Sequence, residues 1–328
     1  MKRSFPLSLG LLGLLVVSTG FAQPEGAVAV RNPISNVDPG DYLDKIVLPE
    51  GFHIELYADD VPGARSMARG DEGTIFVGSR GSSGQVFAVI DKDGDYQADE
   101  VIELANELFI PNGVALWQGD LYVAETNRVL RFNDIEASLS NPPEPAVIND
   151  SYPSETHHGW RYINFDSDGN LYVSVGSPCN TCLPTDQHGR ITRINVDGSD
   201  KQGDKQTVAS GIRNSVGFDW HPETGELWFT DNGRDLWGDD RPPEELNHIT
   251  AQGQHFGFPY EYGKGHRDGE FVVPDIELTH AALELPAHTA VLGMKFYTGE
   301  MFPEEYRNQI LIPHHGSWNR SKPAGYFI

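Results

Sequence analysis

Gly169-Asn170-Leu171-Tyr172-Val173 has counterparts along most of the chain: Gly73-Thr74-Ile75-Phe76-Val77, Gly119-Asp120-Leu121-Tyr122-Val123, Gly225-Glu226-Leu227-Trp228-Phe229 and, more loosely, Asn308-Gln309-Ile310-Leu311-Ile312. A turn residue followed by aliphatic and aromatic side chains is a strand signal. In several copies an alternating segment precedes the motif, at 160–165 and 216–220. Another follows it, at 86–90, 128–132 and 190–194. The marker glycines 73, 119, 169 and 225 stand 46, 50 and 56 residues apart. Three to four short strands per repeat of this length describe the blades of an all-β propeller. About five copies can be read, and the interval lengthens after Gly225. That late insertion is expected at one end of the central channel, where ligands bind. The chain ends at 325–328 inside what reads as a strand, so the last blade is expected to be incomplete.

The charge balance narrows the partners. With 24 Lys and Arg against 48 Asp and Glu, the formal charge is −24 over 328 residues. Such a surface repels phosphate backbones and anionic lipid, and no basic stripe offsets it, so nucleic acid is excluded as a partner. A hydrophobic fraction of 38% supplies a large core, while 35 Gly and 22 Pro disfavour a helical bundle. No composition shift marks a second folded domain, so residues 46–328 read as one propeller.

Residues 1–22 read as a secretory signal: Lys2 and Arg3, an apolar run over 7–17, then small residues up to Ala22. The run is too short to span a bilayer. Cleavage near Ala22 would leave a lead-in at 23–45 and place the protein in the periplasm or outside the cell, with no membrane insertion. In an oxidising compartment, Cys179-Asn180-Thr181-Cys182 reads as a short-loop disulfide that stiffens a local turn.

Several segments could carry chemistry. Asp91, Asp93, Asp95 and Asp99 surround Gly94, which suits either a loop wrapped around a hard cation such as calcium or a solvated hairpin turn. His157-His158-Gly159-Trp160 stands just before a predicted inner strand, where an imidazole titrating near neutrality could take a hydroxyl proton. Arg213-Asn214 stands before another. Asp231-Asn232-Gly233-Arg234-Asp235 and the loop after it add backbone carbonyls, making a cradle for an anionic ligand with a bridging metal.

Together with Leu48-Pro49-Glu50-Gly51-Phe52, Ala64-Arg65, Pro111-Asn112-Gly113, Glu245-Leu246-Asn247 and His315-Gly316-Ser317-Trp318-Asn319-Arg320, these motifs resemble the soluble sugar dehydrogenases dependent on pyrroloquinoline quinone (PQQ). The sorbosone dehydrogenase branch is the nearest in pattern. The resemblance runs from about Leu48 to the end, specific in order and spacing though each motif is weak alone. It implies a six-bladed propeller holding PQQ and calcium at the channel mouth. The electrons would pass from a sugar to an acceptor such as a cytochrome or a quinone.

The resemblance also implies roles. His158, ten residues before the Asp168-Gly169 turn, would be the base for the substrate hydroxyl. Arg213 would stabilise charge developing on the quinone oxygen, and Asn214 would help hold the cofactor. The backbone carbonyls of Gly233 and Arg234 would ligate calcium. Asn112, Trp318 and Arg320 are further cofactor-binding candidates. Glucose-oxidising members carry an aspartate that orients the base where this chain has Ser177, and a glutamine where it has Pro111 beside Asn112. A further pair of family arginines would lie beyond Ile328. Two rival readings stay open: a calcium-dependent lactonase-like propeller, and a non-catalytic NHL-type binding propeller.

Overall fold

The computed structural model describes residues 40–81, 83–196 and 204–328. The signal segment 1–22 and most of the lead-in fall outside these. A helical turn, α1 (Gly40–Leu43), comes first, and strands account for nearly all the remaining regular structure.

The strands form successive antiparallel sheets in chain order. The first holds β1 (Ala64–Arg69), β2 (Ile75–Ser79), β3 (Gly84–Ile90) and β4 (Glu100–Leu108). The second holds β5 (Gly113–Trp117), β6 (Asp120–Ala124), β7 (Val129–Phe132) and β8 (Ala146–Asn149). β9 (Ile163–Phe165), β10 (Asn170–Val175), β11 (Arg190–Asn195) and β12 (Lys205–Ser210) make the third. The fourth begins with β13 (Gly217–Trp220), β14 (Leu227–Asp231) and β15 (Glu244–Ile249). The chain then adds β16 (Gln254–His255) in parallel to β12 of the third sheet, and returns as β17 (Leu283–Leu285) beside β15. β18 (Lys295–Phe296) and β19 (Ile310–Leu311) pair as a two-stranded fifth sheet. The first strands of successive sheets are neighbours, β1 against β5, β5 against β9, β9 against β13 and β13 against β18. That is the inner ring of a propeller.

The repeated motif explains the stacking. Each copy forms the second strand of its sheet, and the two-residue period of a strand sends alternate side chains to opposite faces. Leu121 and Val123 enter the core shared with the first sheet, whereas Tyr122 and Ala124 enter the core shared with the third. Leu171 and Val173 face back in the same way, and Tyr172 faces forward. Phe229 faces back and Trp228 packs forward onto the Met294 and Phe296 core. In the first sheet Phe76 faces forward, while Ile75 and Val77 are covered by Tyr57, Ala58 and Val61 of the preceding segment. One pentapeptide therefore fills two interfaces, and the core is a series of layers between sheets.

The expectation of six blades is not met. Among the described residues there are four blades of at least four strands and a fifth sheet of two. The late part of the chain goes mostly into loops, over 256–282 and 297–309, and after β19 the described residues form only isolated bridges, His314 with Val291 and with Phe327, so the fifth sheet keeps two strands. Within the described residues no helix is long and apolar enough to cross a membrane.

Candidate active site

Antiparallel pairing brings the start of each inner strand beside the end of the second strand in the same sheet. Ala64 pairs with Ser79, Gly113 with Ala124, Val173 with Ile163 and Gly217 with Thr230. Residues just before the inner strands and just after the second strands therefore gather on one face of the propeller. The first group is Asn112, His158, Arg213 and Asn214; the second is Ser177 and the segment 232–235.

His158 is buried, with a left-handed φ of 49°. Its Nδ1 lies 2.9 Å from the carbonyl oxygen of Ser177. A carbonyl only accepts, so Nδ1 carries the proton and Nε2 keeps its lone pair. Burial, then the charges of Arg213 and His157, push the imidazole down to about 2 against a weaker upward effect of the Ser177 bond. The ring is neutral across the physiological range. Gly176 leaves room for it: a Cβ there would meet the His158 Cβ at 2.4 Å.

Ser177 links His158 to Arg213. Its amide donates to the Arg213 carbonyl at 2.7 Å, while its own carbonyl orients His158. The guanidinium of Arg213 is buried and held on several sides. Nε donates to the Asn180 carbonyl at 2.9 Å, Nη1 to the Asn232 carbonyl at 3.1 Å, and Nη2 to Asn180 Oδ1 at 2.8 Å and Asp235 Oδ2 at 2.9 Å. Four of its five N–H groups are thus occupied. Asn180 sits inside the four-residue loop closed by the Cys179–Cys182 disulfide, whose Cα atoms are 6.1 Å apart. The turn that the disulfide stiffens is the one that clasps Arg213.

A second support lies under Arg213 and Asn214. Asp231 accepts from the Arg213 amide at 2.8 Å through one oxygen and from the Asn214 amide at 2.6 Å through the other. Burial raises this carboxyl to about 6 despite those bonds. Glu244 receives the Gly233 amide at 2.7 Å and the Ala290 amide at 3.1 Å, and burial takes it up to about 8. Gly233 is held tightly, because a Cβ there would meet Pro242 at 2.6 Å and the Pro243 carbonyl at 2.9 Å. The Arg234 side chain turns to Asp268 and Glu270, in the late insertion predicted from the repeat spacing.

The other predicted residues have different surroundings. The Asn112 amide donates to the Arg161 carbonyl at 2.8 Å and ties the second sheet to the third. Arg320 is held by the Asp239 and Ala287 carbonyls and by Asp240. Trp318 is 67% exposed. Their neighbour Asn319 reaches Asp235 Oδ1 at 3.3 Å, so segment 318–320 does adjoin the Arg213 cluster. Asp91, Asp93 and Asp99 can bring one oxygen each within 4.8 Å of one another. Their carboxylates also accept from the loop's own amides, including Asp91 from Gly94 and Tyr96 and Asp99 from Lys92. The sequence drew attention to Ser177 but not to its carbonyl, and it gave no sign of Asn180, Asp231 or Glu244 as supports.

The donors at this mouth suit the implied cofactor. The remaining Arg213 N–H and the Asn214 side-chain amide, which no described residue engages, suit carboxylate and carbonyl oxygens, and the glycine-only turn at Gly233 keeps a backbone segment beside them.

Three comparisons place this arrangement among known proteins. An uncharacterized protein of Borreliella burgdorferi is 34% identical over 296 residues, covering 86% of this chain and 75% of that one. The calcium structure of a Trichoderma reesei carbohydrate-active enzyme of family AA12 superposes with a TM-score of 0.72 at 22% identity, covering 85% of this chain and 80% of the other. The holo PQQ domain of a Coprinopsis cinerea pyranose dehydrogenase gives a TM-score of 0.67 at 17% identity, covering 81% and 74%. At these identities the two structures speak for the propeller fold. The glucose/sorbosone dehydrogenase family matches residues 118–314, from the second sheet through Arg213 and Gly233 to His314. With His158, Arg213 and their supports all inside that span, the chain belongs to the glucose/sorbosone dehydrogenase family.

Proposed function

We infer that the protein is an exported, PQQ- and calcium-dependent dehydrogenase that oxidises a sugar aldehyde or hemiacetal hydroxyl, with motifs that resemble those of the sorbosone branch. The observation that carries this reading is the neutral His158, oriented by Ser177 with its Nε2 lone pair free.

His158 would accept the substrate hydroxyl proton at Nε2 while Nδ1 remains bonded to Ser177. An imidazole this reluctant to protonate needs negative charge nearby when it does so. Burial and the Arg213 charge act against the imidazolium, so the anionic ligand of the site has to offset them. Arg213, held rigidly by Asn180, Asn232 and Asp235, would present fixed positive charge where negative charge develops, with no reorganisation at the moment of reaction. Asn214 would hold the cofactor, with Asn112, Trp318 and Arg320 as its outer contacts. Bound there, PQQ would supply the two-electron acceptor, and calcium on the Gly233 and Arg234 carbonyls would supply a Lewis acid. Asp91, Asp93, Asp95 and Asp99 are a candidate second calcium loop. A lactonase would instead centre a metal among channel carboxylates. Among the described residues, the acidic group close enough to share an ion is Asp91, Asp93 and Asp99 on a hairpin.

The test is an absorbance titration of the chain with PQQ, with and without calcium, followed by sorbosone and a panel of aldoses. Calcium-dependent binding with reduction by one sugar supports the dehydrogenase. Saturable PQQ binding that no sugar reduces would overturn it.

A further inference from the structure

Two arginines on the same face play no part in the machinery above. Arg65 follows the first residue of β1, and Arg80 follows the last residue of β2. Arg80 reaches across the mouth, past the second sheet, to lie 4.1 Å from the ring centroid of Trp160, just before the third sheet's inner strand. Trp160 in turn stands edge-on to His158 with ring centroids 6.1 Å apart. Arg80 is thus connected to His158 through a single indole.

Neither guanidinium has a carboxylate partner or a hydrogen-bond acceptor among the described residues. This contrasts with Arg128, Arg213, Arg234, Arg267 and Arg320, each paired with an acid. The chain has two acidic residues for every basic one, so missing partners are not a matter of supply. The pairing of Ala64 with Ser79 and the bond from the Arg80 amide to the Gly63 carbonyl at 3.1 Å bring the two arginines to one strand end, where burial weakens the hold of Arg65 on its proton and the Arg80 charge adds to that. The Trp160 indole N–H is buried and also lacks an acceptor among the described residues. Guanidinium forks and an N–H donor, all without acceptors beside the catalytic imidazole, suit an anionic oxygen group.

Resting on the dehydrogenase reading, we propose that Arg65, Arg80 and the Trp160 indole form a subsite for the carboxylate of an acidic sugar, which selects sugar acids over neutral aldoses. The carboxylate offsets the repulsion between the two arginines, and Trp160 sets its distance from His158. The same chemistry could serve a carboxylate of the cofactor, and the experiment separates the two sources.

Glucuronate and glucose are compared as probes in two ways: calorimetric titration of the chain without PQQ at low salt, and kcat/KM of the PQQ- and calcium-loaded protein. The expected result is glucuronate binding that weakens with salt, a preference over glucose of at least about tenfold, and loss of most of that preference in R80Q and W160F. W160F keeps a ring beneath Arg80 and removes only the indole N–H, so it reads the donor separately from the packing. Equal handling of the two sugars overturns the proposal. So does an R80Q variant that weakens PQQ binding while the sugar preference stays put, because the arginines would then belong to the cofactor. Glucuronate binding without oxidation of any sugar would instead overturn the dehydrogenase reading and leave the anion subsite standing.

Discussion

The carbonyl oxygen of Ser177 lies 2.9 Å from His158 Nδ1, and the amide of the same residue lies 2.7 Å from the Arg213 carbonyl. A backbone peptide therefore does here what the resemblance assigns to an aspartate side chain elsewhere. It fixes the imidazole tautomer without adding a negative charge, which is consistent with how far burial is able to depress His158.

His158→Asn separates the proposed proton-transfer role of this residue from its part in the fold. Asparagine tolerates the left-handed φ of 49°, and its amide can still donate to Ser177. Turnover should fall by about 100-fold to 10,000-fold while PQQ affinity and the melting temperature change little. Turnover within a few fold of the parent would remove His158 from proton transfer.

The same residue makes the protein acid-sensitive. The folded His158 sits near 2, below the ordinary value of 6.5, so its neutral form stabilises the fold above about pH 6.5 and that contribution is lost as pH falls toward 2. At pH 4.5 the loss is on the order of 2–3 kcal/mol. Chemical denaturation at pH 7 and pH 4.5 should therefore show a smaller acid loss in His158→Asn than in the parent. Parallel losses in the two proteins would mean that His158 is not the group responsible.

Opening the Cys179–Cys182 loop should act at a distance. A closure of four residues is worth about 2 kcal/mol by chain entropy. Asn180 within it makes several of the bonds that hold Arg213 and Asp235. The double substitution to serine should lower stability by that order and reduce kcat more than it raises sugar KM. A stable variant with unchanged kcat would show that Arg213 is held without the loop.

Gly176→Ala should displace His158 from within. The added methyl meets the His158 Cβ at 2.4 Å and the His158 carbonyl at 2.8 Å, neither of which is the end of a flexible chain. A loss of about 1–3 kcal/mol and a large drop in kcat are expected. Both are readable from thermal melts and initial rates.

What the sequence determined by itself was the repeating unit. Leu-Tyr-Val after a turn glycine dictates a strand with two apolar faces, and such a strand can only be buried by stacking sheet on sheet. His158, Arg213 and Gly233 were legible too, because they stand at fixed offsets from those strands. The tertiary structure decided what no spacing encodes. The strand count of the fifth sheet was decided after β19, where His314 and Phe327 meet in an isolated bridge rather than a strand. The Ser177 carbonyl, Asn180 and Glu244 became part of the site through backbone bonds, which any residue type could have supplied at the first of them. Arg80 met Trp160 eighty residues away only when the ring of sheets brought the first and third blades to the same mouth. Long-range closure sets such contacts, and local pattern carries no trace of them.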